Sequence, residues 1–257
     1  MSLKSPDLKP LEIGGGRVTR GDTSRLHLPT IHSGYADAQL DDHRQLARSE
    51  LPWRPPLQFI VEARTDKEEP VGTLGFGFWN DPFAFSFGQA GAARKLPASP
   101  NALWFFYGSP PNDLALQEGA PPCGWKASSL RTPRLPSLLL AGPALAALGL
   151  SYLPGLRSLI VGAARSIISA AESGIDGPLE RWRRYRIEWR AEVARFWVQN
   201  EMVLEAGSPP QGPLGLVLWI DNQYAVLSKS KGIKFGTLSV EEPQTLEIRK
   251  LSIETID

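Results

Sequence analysis

The alternation that runs through residues 182–253 constrains this chain more than any other feature. Tyr185, Ile187 and Trp189 fall on one face of an extended chain, and Arg184, Arg186 and Glu188 on the other. A period of two is the mark of a half-buried strand. A short turn near Arg190–Glu192 leads into Val193–Val198, which reads as a hairpin, and Met202–Leu204 continues the meander. LGLVLWID (214–221) reads as a central strand, and 233–238 and 245–253 close the chain with two more. Upstream, residues 25–31 carry a proline that suits an edge strand, and 57–64 and 102–107 are further strands. Short strands separated by turn signals predict a mainly β chain, an antiparallel sandwich or barrel rather than βαβ units.

The segment GTLGFGFWNDPF (72–83) alternates small and aromatic residues, so Gly75 and Gly77 share a face on which something can approach the backbone closely. Residues 1–24 are polar and glycine-rich and read as a tail with a short strand at Leu11–Ile13, which leaves 25–257 as one domain. The formal charge of +1 gives no field that would draw nucleic acid. The arginines at 181, 183, 184 and 186 split over both faces of a strand and read as a solvated surface. The single cysteine, Cys123, cannot form an internal disulfide, and the first residues lack the apolar stretch of a signal peptide, so a cytoplasmic location is expected.

Residues 127–178 break the strand pattern and read as a helical insertion, its helices around 135–173. Arg134 and Arg157 bracket twenty-two uncharged residues, interrupted by Gly142-Pro143 and Pro154. From 156 to 168, Leu156, Leu159, Ile160, Ala163, Ala164, Ile167 and Ile168 recur at helical spacing. Three roles suit helices at 135–172: packing on the sandwich core, a lid over a cleft, or contact with a membrane surface, a small apolar ligand or another copy.

The order YRIEW, turn, VARFWVQNEMVLEA, PLGLVLWIDN, with TLEIRKLSI at the end, resembles the strand pattern of concanavalin A-like lectins and laminarinase-type glucanases. The resemblance spans 57–107 and 182–253 and implies a jelly-roll sandwich with a ligand on its concave sheet. The glucanases of that superfamily carry a Glu-x-Asp-x-Glu strand, whose paired carboxyl groups perform retaining hydrolysis. No Glu here is followed two positions later by Asp, and the strand aligned there, LWFFYG, has no carboxylate. The resemblance therefore implies carbohydrate binding without that mechanism.

Trp79-Asn80-Asp81 and Trp219-Ile220-Asp221-Asn222 each place an indole beside amide and carboxylate groups at the end of an apolar strand. Sugar sites need that combination of a flat aromatic face and planar hydrogen-bonding groups. The competing explanation is a turn in which Asp and Asn bond their own backbone. With Trp104 and Trp189 these residues make up the candidate lining: Trp79, Asn80, Asp81, Trp104, Trp189, Trp219, Asp221 and Asn222. The carboxylates also offer oxygen ligands to Ca²⁺, although no ligand spacing recurs, and no metal site is predicted. His27, His32 and His43 match no common metal pattern. An enzyme on this fold would need a rearranged acid pair drawn from Asp81, Asp113, Glu188 and Asp221. Glu188 beside Arg184 and Arg186 is equally a cross-strand ion pair. No catalytic residue is assigned.

Overall fold

The computed structural model describes residues 3–4, 6–82, 98–133, 168–228 and 232–256. In chain order the strands are β1 Leu3–Lys4, β2 Lys9–Ile13, β3 Arg17–Thr19, β4 Thr23–Leu28, β5 Asp37–Asp41 and β6 Leu57–Thr65. They continue with β7 Thr73–Trp79, β8 Ala102–Gly108, β9 Gly124–Arg131, β10 Ser169–Gly174, β11 Arg183–Trp189 and β12 Val193–Val198. The last are β13 Glu201–Gly207, β14 Gly215–Asp221, β15 Gln223–Ser228, β16 Gly232–Thr237 and β17 Gln244–Thr255. They form an antiparallel β-sandwich. One sheet has eight strands, ordered β13-β12-β11-β6-β17-β4-β3 with β1 on β17. The other has seven, ordered β10-β9-β8-β7-β14-β5-β2, and β15 and β16 form a separate hairpin.

The alternation read from the sequence decides which side chains the sandwich encloses. Tyr185, Ile187 and Trp189 of β11 meet Leu74, Phe76 and Phe78 of β7 and Leu103, Phe105 and Tyr107 of β8 in one core. Aromatic rings interlock across the two sheets: Phe76 lies 5.0 Å from Tyr185, Phe105 5.5 Å from Phe196, and Phe78 5.6 Å from Trp189 between centroids. Non-parallel contacts at these separations suit the ring quadrupoles. The other residues of β11 face out, where Arg186 stacks on Trp197 and Arg190 Nε donates to Glu188 Oε1 at 2.6 Å.

Two expectations need correction. Residues 9–19 are not a tail, because β2 pairs with β5 in the seven-stranded sheet and β3 with β4 in the eight-stranded one. Their polar composition reflects edge positions, where one face and one row of backbone groups stay in water. The expected helical insertion also does not occupy 127–178 as a whole. Residues 127–131 belong to β9, and Ser169–Gly174 form β10 on its far side. Ser and Ala at 169–171 carry no long apolar side chain to bury, which fits an edge strand. The one helical element among the described residues is a 3-10 turn at Arg48–Glu50. Positions 134–167, which hold most of the expected helices and the membrane or lid contact assigned to 135–172, lie outside the described residues.

Candidate functional site: the outer face of the seven-stranded sheet

Successive residues of a strand point to opposite sides, so the residues alternating with the core positions line the outer face. On β7 these are Thr73, Gly75, Gly77 and Trp79; on β8, Ala102, Trp104, Phe106 and Gly108; on β14, Gly215, Val217, Trp219 and Asp221. The register puts Trp104, Gly77, Val217 and Asp41 in one cross-strand row and Lys126, Phe106, Gly75, Trp219 and Gln39 in the next. The result is a continuous aromatic patch. Trp79 and Trp104 lie 6.0 Å apart between centroids, Trp104 and Trp219 5.5 Å, and Phe106 and Trp219 6.0 Å. Phe106 and Trp219 are buried, whereas Trp79 and Trp104 keep part of their surface open.

The two glycines of β7 make room for this patch. A Cβ on Gly75 would lie 2.7 Å from the Trp219 ring, and one on Gly77 would lie 2.3 Å from the Leu103 carbonyl oxygen. Gly77 also has φ +148°, a backbone that side chains disfavour. The close approach expected from the Gly-x-Gly spacing is that of the β8 backbone at both glycines, joined at Gly75 by the indole of Trp219.

Each end of the patch is pinned by hydrogen bonds. Trp79 Nε1 donates to His43 Nε2 at 3.0 Å. An indole nitrogen can only donate, so His43 Nε2 is an acceptor and Nδ1 carries the hydrogen, which points at the Leu216 carbonyl 3.2 Å away. Gly215 permits this arrangement, because a Cβ there would sit 2.2 Å from His43 Cβ. At the other end Trp219 Nε1 donates to Thr73 Oγ1 at 3.0 Å, and Thr73 donates to Asp221 Oδ1 at 2.7 Å. Asp221 also accepts from the Gln223 backbone at 3.0 Å. Burial pushes its carboxyl up to about 6. Asp37, directly opposite on β5, is 2% exposed and is likewise raised by burial and by the Asp221 charge.

A buried ion pair closes the β9–β10 side. Lys126 Nζ lies 2.8 Å from Glu172 Oε1, with the two side chains 3% and 2% exposed. Lys126 also donates to the Leu114 carbonyl at 2.7 Å, and Glu172 accepts from Ser128 Oγ at 2.8 Å and from the Leu116 and Gln117 amides. Both charges are therefore consumed internally.

Of the candidate lining, Trp79, Trp104, Trp219 and Asp221 share the outer face. Trp189 does not. It lies fully buried in the core with Nε1 donating to the Pro210 carbonyl at 2.8 Å, because the odd-numbered face of β11 points between the sheets. Asn80 and Asn222 work as turn braces. Asn80 bonds the Ser99 carbonyl and the Asn101 amide, while the fully buried Asn222 bonds Gly34, Ala36 and Leu238. Asp81 has φ +47° and is buried, and its carbonyl accepts from Arg48 at 2.6 Å. Asp113 forms a bridge with Val226, and Glu188 lies on the opposite sheet, so the four candidate acids do not converge. Sequence reasoning missed Asp37, Gln39, His43 as a partner of Trp79, and the Lys126–Glu172 pair. Among the described residues no three His, Cys, Asp or Glu side chains converge to hold a metal ion.

No family model and no curated protein matches this chain. Solved structures with a similar strand arrangement include a β-glucanase of Bacillus licheniformis, 9% identical with a TM-score of 0.46 over 93% of this chain and 82% of that one. LamAcat from Zobellia galactanivorans is 12% identical with a TM-score of 0.45, over 91% of this chain and 77% of that one. A sialidase is 7% identical with a TM-score of 0.43; the match covers 98% of this chain but only 17% of the sialidase. At these identities the chemistry has to come from the residues themselves.

Proposed function

We propose that the protein binds a carbohydrate-like ligand on the outer face of the seven-stranded sheet, without hydrolysis of the laminarinase type. The observation that carries this reading is the patch Trp79–Trp104–Phe106–Trp219, continuous across three adjacent strands and open at Trp79 and Trp104. Open indoles offer the apolar face that the C–H side of a pyranose ring needs. The positions of β8 that face the ligand are Ala102, Trp104, Phe106 and Gly108, none of them an acid. Glu172 and Asp221 stand four strand steps apart, roughly 19 Å at the usual strand spacing, far beyond the ~5 Å of a retaining pair. The test is titration of β-glucan, cellulose-type and chitin oligosaccharides against the protein and its Trp104→Ala variant. Saturable binding that weakens about tenfold in the variant supports the reading, since one stacked ring contributes on the order of 1 kcal/mol. A variant that binds as tightly as the parent refutes it.

One observation favours a second reading, a hydrolase with a rearranged acid pair. Asp37 and Asp221 face each other directly across β5 and β14, and both have raised carboxyl groups. Turnover of a chromogenic glycoside that disappears in Asp221→Asn would establish it.

A further inference from the structure

A cleft of about 510 Å³ opens at the β2–β5 edge, lined by none of the four rings of the aromatic patch. Its walls include the apolar surfaces of Pro6, Leu46, Pro52 and Trp53, and Asp42 stands among them. That volume suits a small organic molecule.

The charges around the cleft are not equally available. Asp41 lies 3.6 Å from Arg44 Nε and accepts from the His43 and Arg44 amides and from Gln39. Arg44 donates in turn to the Pro10 carbonyl at 2.9 Å. Lys9 is bonded to Gln45 at 3.0 Å and lies 3.9 Å from Asp7. Asp42 has no cationic partner among the described residues. It accepts one neutral donor on each oxygen: the Leu216 amide at 2.8 Å on Oδ1, and the Trp53 indole N–H at 2.5 Å on Oδ2. These two bonds fix the carboxyl and leave each oxygen able to accept again. Burial, with the Asp41 charge adding to it, raises the Asp42 carboxyl to about 6, so near neutral pH it is an ionised group that lacks a counter-charge.

We propose that this cleft is a binding site for a small organic amine, its ammonium group on Asp42 and its apolar body against Leu46, Pro52 and Trp53. A cation supplies the counter-charge that Asp42 lacks and donates to its free lone pairs. Ammonium-to-carboxylate bonds are the strong class. An anionic ligand would meet Asp42 directly. A neutral one would leave the half-buried charge uncompensated.

The proposal is independent of the sugar-binding reading and is tested with 2-phenylethylamine against 2-phenylethanol, which share a body and differ in charge. The readout is the Trp53 indole N–H signal, assigned by its loss in Trp53→Phe. Amine at millimolar concentration is expected to shift that signal saturably, the alcohol far less. Binding is expected to weaken as pH falls through about 6, where Asp42 is neutralised. Asp42→Asn is expected to weaken amine binding at least tenfold. Lys9→Gln, which removes a nearby cation from a half-exposed side chain, is expected to tighten it a few-fold. Equal shifts from amine and alcohol, no shift from either, or unchanged affinity in a folded Asp42→Asn would overturn the proposal. If Asp42→Asn does not fold, unchanged or weaker binding in Lys9→Gln would do so.

Discussion

Replacing Asp221 with Asn isolates the cost of burying an acid pair under the aromatic patch. The folded carboxyl is raised from the ordinary 3.8 to about 6, with burial as the main cause. A raised carboxyl protonates more readily in the folded state, so folding is favoured most below pH 4. As pH climbs from 4 to 6 the unfolded chain ionises first and stability falls, and above about 6 the loss is complete. Two units correspond to about 3 kcal/mol as an upper bound. Asparagine keeps an oxygen for Thr73 and Gln223 while removing the charge beside Asp37. The variant should therefore match the parent near pH 4 and exceed it at pH 7.5 by roughly 2–3 kcal/mol, or some 4–10 °C in Tm for a chain of this size. Scanning calorimetry of both proteins at the two pH values measures the difference, to which Asp37 adds in the same direction because the variant also relieves it of the Asp221 charge. A Tm difference that does not change with pH, or a variant less stable than the parent at pH 7.5, would refute the reasoning.

Other substitutions probe the supports of the same face. Glu172→Gln leaves the buried Lys126 ammonium with neutral oxygen partners and no counter-charge, and should cost about 3–5 kcal/mol in urea unfolding; a loss below about 1 kcal/mol would show that the pair does not matter. Gly215→Ala drives a Cβ into His43 and should destabilise by about 1–3 kcal/mol while displacing the Trp79 indole N–H signal. Gly75→Ala puts a Cβ 2.3 Å from the Phe105 carbonyl oxygen and 2.7 Å from the Trp219 ring, and should destabilise the β7–β8 pairing while shifting the Trp219 indole signal.

The parts of the fold that were legible in the sequence are those whose signal is local. Tyr185, Ile187 and Trp189 alternate with charged neighbours, and Gly75 and Gly77 alternate with aromatics; both patterns describe faces of a single strand. Alternation does not say which of a sandwich's two sides a face meets, and for that reason Trp189 was expected in the site and lies in the core. Strand β9, GWKASSLR, is polar on its outer side, yet Lys126 and Ser128 are buried there by partners distant in sequence. Ser128 and Glu172 are 44 residues apart, and Asp37 and Asp221 meet only through strand register. No periodicity encodes such pairings. The edge strand β3 was missed, and of β2 only Leu11–Ile13 was read, because an exposed edge has little apolar surface to reveal it.

A sugar-like ligand lying on Trp79 and Trp104 would be seen in the indole N–H signals of the eight tryptophans during an oligosaccharide titration. The Trp79 and Trp104 signals should move saturably with one of the oligosaccharides, while those of the buried Trp125 and Trp189 hold still. Signals of Trp79 and Trp104 that stay fixed across the whole panel, or that move no more than those of the core tryptophans, would contradict it.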